Sequence, residues 1–133
     1  MNLGGYAASM ASYAALVAVA VAAGRTKQRA HPGQGSLVDL AIGGVATHKL
    51  SRLLAKGSVT SPLREPFTEF DEPAGAAEHV EHAREGSGLR HTVGELLTCP
   101  FCVGVWIATA YVGGLALAPR PTRTAATVLS VVA

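Results

Sequence analysis

Residues 96–118 read LLTCPFCVGVWIATAYVGGLALA, twenty-three positions without a charged side chain, bounded by Arg90 and Glu95 on one side and by Pro119 and Arg120 on the other. A helix needs roughly 20 apolar residues to cross the ~30 Å hydrocarbon core of a bilayer, and this run is long enough. Its small residues recur four apart, Gly104 with Ala108, Thr109 with Gly113 and Ala110 with Gly114. That spacing lets helix backbones approach closely in lipid. The reading is a membrane helix over 96–118.

Composition agrees with that reading. Charged residues are 15% of the 133-residue chain, against about 25% in ordinary soluble domains, and the mean hydropathy is +0.30. The apolar residues are segregated, with no charge before Arg25. A formal net charge of +2, with acids interleaved, is no footprint for nucleic acid, and that class is set aside. Two cysteines three positions apart cannot staple a small secreted scaffold.

Residues 3–23 form a second apolar stretch, rich in alanine and interrupted by Tyr6, Ser9, Ser12 and Tyr13. Ala20-Val21-Ala22 looks like a small-residue cleavage site, but no basic residue precedes the stretch, so it reads as a retained membrane helix rather than a signal peptide. Residues 37–54 read as a helix capped by Ser36, with Asp39 in its first turn and His48, Lys49 and Arg52 near its end, where each charge suits the dipole. Val38, Ile42, Val45, Lys49 and Arg52 share one face, so spanning and interfacial placements both stay open. Residues 55–92 are polar and punctuated by Pro62, Pro66 and Pro73. Within them, 59–70 has Leu63, Phe67 and Phe70 at helical spacing, and 74–84 has helical composition but is polar all round, a solvated helix or a disordered piece. The last apolar run, 124–133, is too short to cross a bilayer and reads as a partial helix. The expected fold is all-α: one membrane domain over 1–133, a small transmembrane bundle of three to four helices with one polar loop. Because helix 37–54 ends in a basic cluster, the long loop is placed in the cytoplasm.

Few residues can carry chemistry. Cys99-Pro100-Phe101-Cys102 stands at the mouth of the best span, where a helix N-terminus favours thiolate. That position suits a membrane thiol-redox pair. The same cysteines could supply half of a zinc site completed by His91, His48, His79 or His82, or simply pack while Pro100 starts or kinks the helix. His79 and His82 beside Glu78 and Glu81 read as a solvated acidic helix in preference to a metal site. Asp39 and His48 fall near predicted helix ends, where interface water solvates them. Trp106 falls near mid-span and is expected between helices. No nucleophile with its base, nucleotide loop or paired-carboxylate motif occurs in the sequence. The preferred function is therefore a non-enzymatic scaffold or accessory subunit without cofactor. Its partners are the bilayer and helices of itself or of a membrane complex, and the thiol-redox protein and the zinc-stabilised module are the alternatives.

Three segments also occur in a fixed order: Ala46-Thr47-His48-Lys49-Leu50-Ser51-Arg52-Leu53, then Val59-Thr60-Ser61-Pro62-Leu63-Arg64, then Gly94-Glu95-Leu96-Leu97-Thr98-Cys99-Pro100-Phe101-Cys102-Val103-Gly104-Val105-Trp106. From residue 37 onward the chain resembles the bacterial family catalogued as domain of unknown function 1360. The resemblance implies a small multi-pass protein of the bacterial cell membrane without an assigned activity, some members carrying only a sporulation label. It also implies an apolar C-terminal segment that normally continues past Ala133. The family's recurring positions, carried over, are Arg52, Pro62, Arg64, Cys99, Pro100, Cys102 and Trp106. Their order suggests that the basic helix end, the Pro-Leu-Arg elbow and the cysteine mouth converge at one membrane face, with Arg52 and Arg64 near lipid phosphates or Glu95.

Overall fold

The computed structural model describes residues 3–28 and 35–133. In chain order the elements are α1 (Leu3–Gln28), α2 (Leu37–Lys56), a 3-10 turn (Ser58–Thr60), α3 (Ser61–Arg64), β1 (Thr68–Gly75), β2 (Glu78–Ala83), α4 (Leu89–Thr98), α5 (Pro100–Leu117) and α6 (Pro119–Val131). The chain divides into two compact units, one of Met1–Ala11 with Ser51–Val103 and the other of Ser12–Leu50 with Gly104–Ala133.

The first unit corrects the expected all-α bundle with a polar loop. Residues 55–92 are folded, and 68–83 form an antiparallel hairpin in which Thr68 pairs with Ala83, Phe70 with Glu81 and Pro73 with His79. The solvated helix expected over 74–84 is in fact the turn and second strand of that hairpin, and the helical spacing seen over 59–70 is realised only as far as Arg64. Gly75 (φ 130°) and Ala77 (φ 62°) supply the positive-φ backbone the tight turn needs. The register shifts between Phe70 and Glu72 and again between Pro73 and Gly75, bulges that accommodate a proline lacking the ladder N–H. α4 packs on β2 at Gly94, where an added Cβ would lie 2.9 Å from the Ala83 Cβ.

Two prolines set the helix boundaries that the apolar run did not reveal. Cys99 is extended (φ −102°, ψ 106°) because the following Pro100 crowds the α conformation of the residue before it. The single helix expected over 96–118 is therefore two, α4 and α5, with Pro100 at the first position of the second. Ala118 is likewise non-helical (φ −146°, ψ 72°) ahead of Pro119, so the partial helix expected over 124–133 begins earlier, as α6. Helices α1 and α2 run longer than the expected 3–23 and 37–54. The Ser36 cap is as expected, its Oγ accepting the Asp39 N–H at 3.1 Å.

In the second unit small residues let α1, α2 and α5 meet. A Cβ on Gly24 would be 3.6 Å from the Ala116 Cβ, and one on Gly113 would be 3.8 Å from the Ala20 Cβ. Gly43 has no such room, because the Tyr111 ring lies where its Cβ would be, and the Tyr111 hydroxyl donates to the Asp39 carbonyl at 2.7 Å. Few large apolar side chains are covered: the buried apolar residues among those described are Ala46, Ala55, Val103, Leu115 and Ala126. Buried residues among those described include Asp39, Ser51, Arg64, Thr68, Glu81 and Thr92, whereas Leu3, Met10, Val19, Phe101 and Val112 are exposed. Two helices, Leu3–Arg25 within α1 and Pro100–Leu117, are long and apolar enough to cross a membrane; α2 is not among them.

Candidate functional site

The most densely bonded group of the first unit grows from the Pro-Leu-Arg elbow. Thr60, Ser61 and Arg64 lie on consecutive short turns, and β2 brings Glu81 opposite them. Arg64 is 1% exposed and spends all five of its N–H donors. Its Nε and Nη2 clamp the two Glu81 oxygens at 3.0 and 2.6 Å, Nη1 reaches the Leu54 carbonyl at 2.6 Å and Thr60 Oγ1 at 2.7 Å, and Nη2 also reaches the Gly57 carbonyl at 3.1 Å. Glu81 accepts two more hydrogen bonds, from the hydroxyls of Ser61 and Thr68, each at 2.7 Å. Burial alone would raise the Glu81 carboxyl, but the donors and charge of Arg64, with Thr68 and Ser61, outweigh it and hold the group at about 2. A buried pair this completely satisfied has no capacity left for a ligand.

That geometry corrects the expected surroundings of Arg64. Arg64 faces neither lipid phosphate nor Glu95, and Arg52 is paired with Glu78 through two bonds of 2.7 and 3.0 Å. Glu95 accepts from the Tyr6 hydroxyl at 2.6 Å. Pro62 is exposed at the start of α3. Glu81 is the member that the sequence did not announce. The sequence groups it with His79 and His82 as part of an acidic helix, and only the strand pairing turns it inward. No alternation marks Glu78–Ala83 as a strand, since its apolar residues Val80 and Ala83 are three apart, and alanine and glutamate are poor strand formers.

Cys99 and Cys102 flank the helix break, half-buried and exposed respectively, and the Cys102 N–H donates to Cys99 Sγ at 3.4 Å. Hydrogen bonds from the Cys102 thiol and from the N–H groups of Cys102 and Phe101, with the Lys56 charge, hold the Cys99 thiol below its ordinary value against burial. The histidines of the first unit proposed to complete a zinc site have other neighbours, and His48 belongs to the second unit. His91 Nδ1 donates to the Arg84 carbonyl at 2.9 Å, His82 Nδ1 is 2.8 Å from Asp71, His79 stacks edge-on with Phe70 at 5.0 Å between ring centroids, and His48 is exposed on α2. Among the described residues no three His, Cys, Asp or Glu side chains cluster closely enough to hold a metal ion.

In the second unit Asp39 is 5% exposed, not solvated at an interface as the sequence suggested. Arg123 of α6 clamps both of its oxygens at 2.8 and 2.9 Å. Trp106 is half-buried, edge-on to Tyr13 with centroids 5.3 Å apart, and the Tyr13 hydroxyl is 2.8 Å from Thr109 Oγ1. The Pro100 break places Trp106 in the second turn of α5 rather than at mid-span.

No solved structure matches the chain. The sporulation protein YjcA of Bacillus subtilis (strain 168) is 39% identical over 66 residues, 48% of this chain and 56% of that protein, so the chain spans little more than half of that relative's length. A family model described as protein of unknown function (DUF1360) matches residues 42–133. Because that match takes in the Arg64–Glu81 pair, both cysteines and Trp106 along with most of the sequence, the chain belongs to the DUF1360 family.

Proposed function

We propose that this is a non-enzymatic bacterial membrane protein, a scaffold or accessory subunit whose polar unit is a pre-folded recognition module carried between membrane helices. One observation carries the reading. The most apolar stretch of α1 has no buried residue, and only 11% of that of α5 is buried, whereas the core helix of a water-soluble protein would be mostly covered. The saturated Arg64–Glu81 pair supports the rest, because a polar module with its internal donors fully used is built to hold a shape. Similarity to a protein named for sporulation supports placing the role in spore formation.

The test is alkaline carbonate extraction of the full chain from bacterial membranes, combined with labelling of Ala76→Cys in a background free of Cys99 and Cys102. Retention in the pellet, and labelling by an impermeant maleimide only after the cells are opened, is the expected result with the hairpin in the cytoplasm. Release into the supernatant as a monodisperse species would overturn the membrane reading. A stoichiometric membrane partner co-purifying in mild detergent is expected of an accessory subunit.

The Cys102-to-Cys99 contact favours a second reading, a thiol-redox protein. A Cys99 thiolate would attack a disulfide of a partner protein, releasing one thiol; Cys102 would then displace the second, so the partner gains two electrons and two protons while Cys99–Cys102 becomes a disulfide. Alkylation in native membranes with and without reductant and chelator separates the cases. Reductant-dependent labelling supports redox chemistry, chelator-dependent labelling supports a zinc module, and labelling indifferent to both supports packing.

A further inference from the structure

The second unit contains an apolar cavity of about 900 Å³ between α1, α2 and α5, at the upper end of the ~300–1,000 Å³ typical of ligand pockets. Its wall includes Val21 and Leu40, which are 46% and 63% exposed, so the cavity opens sideways rather than being sealed in a core. Along α1 its lining runs from Tyr13 to Arg25. Twelve helical steps span about 18 Å, close to the depth of one leaflet, half of the ~30 Å hydrocarbon core.

The polar groups of the wall are not spread evenly. Arg25 and Asp39 both line it, and the Gly24–Ala116 approach puts that end of α1 beside the C-terminal part of α5. Asp39 is neutralised by the two bonds from Arg123, whereas Arg25 is exposed and has no hydrogen-bond or ion-pair partner among the described residues. One uncompensated cation therefore stands at the end of a leaflet-deep apolar slot. We propose that this cavity is a binding site for one membrane lipid with an anionic head group, its acyl chains along the α1–α2–α5 slot and its head at Arg25. The proposal rests on the membrane reading above.

Trp106 is the single tryptophan of the chain and touches Tyr13 in the cavity wall, so its fluorescence reports the far end of the slot. The full chain is reconstituted into phosphatidylcholine vesicles containing increasing fractions of either phosphatidylglycerol or phosphatidylcholine with brominated acyl chains, which quench tryptophan on contact. Half-quenching is expected at about fivefold lower mole fraction of the anionic lipid, the ratio one basic side chain contributes at an anionic surface. Arg25→Glu should erase that preference. Gly44→Leu should also erase it by filling the slot, since Gly44 lines the cavity and a Cβ there meets nothing within 4 Å; unchanged helical circular dichroism shows that the variant still folds. Equal quenching by both lipids, or a preference that survives both substitutions, overturns the proposal while carbonate resistance leaves the membrane reading standing. Loss of carbonate resistance overturns both. A disulfide between two copies carrying Gly44→Cys in the cysteine-free background would show a second copy in the slot, and overturns the lipid.

Discussion

Arg64 and Glu81 are seventeen residues apart in the chain and 2.6 Å apart in the fold, with side chains each 2% exposed. Breaking one half of such a pair strands a buried charge, so Arg64→Met is expected to destabilise the first unit by about 3–5 kcal/mol. The double variant Arg64→Met with Glu81→Leu should regain only part of that, because the hydroxyls of Thr60, Ser61 and Thr68 and the carbonyls of Leu54 and Gly57 still lose their partner. Thermal unfolding in detergent measures both, and the exposed Arg52–Glu78 pair, with Arg52→Gln, is the control expected to move little. If Arg64→Met melts like the parent, the pair is not what holds the elbow to the hairpin.

The same carboxyl predicts an acid limb. Glu81 is held at about 2 in the folded chain against an ordinary value of 4.5. The folded state thus binds its proton less readily than the unfolded state. Its contribution is fully present above 4.5, shrinks as the pH falls from 4.5 towards about 2 and is absent below that. The melting midpoint of the first unit should fall through that window, and the fall should be smaller in Arg64→Met, where the depressed value is lost. Equal acid sensitivity in the two proteins would remove Glu81 as the cause.

Gly94 sets how closely α4 approaches β2. A Cβ there would press on the Phe67 carbonyl as well as on Ala83, backbone and a short side chain that cannot swing away. Gly94→Ala is therefore expected to cost about 1–3 kcal/mol through overpacking, although alanine favours helix. Amide hydrogen exchange should show the loss in β2 and α4; a stabilised variant would mean that α4 can shift without cost.

Asp39 and Arg123 tie α6 to α2, assisted by Ser130, whose hydroxyl donates to the Ile42 carbonyl at 3.0 Å. Asp39→Asn should loosen α6 and speed trypsin cleavage after Arg123. Arg123→Lys should protect only partly, because a lysine cannot clamp both carboxylate oxygens in the fork geometry. Cleavage at the parental rate in both variants would show that α6 is held by its apolar contacts instead.

The sequence by itself determined the two long apolar helices, because the absence of charge over 3–23 and 96–118 needs no partner to be read, and it determined the family from the order of the Arg52, Pro-Leu-Arg and cysteine segments. It also held the breaks at Cys99 and Ala118, since each precedes a proline, but unbroken hydropathy concealed them. Only the tertiary structure decided that residues 68–83 form a hairpin: the strands lack β-branched residues apart from Thr68 and Val80, so their pairing depends on Gly75, Ala77 and the α4 contact rather than on local preference. Tertiary structure alone also turned Arg64 inward to Glu81 and joined Asp39 to Arg123 across 84 positions. A charge's partner is fixed by where the backbone brings it, and no spacing along the chain encodes that when the intervening segment folds back on itself.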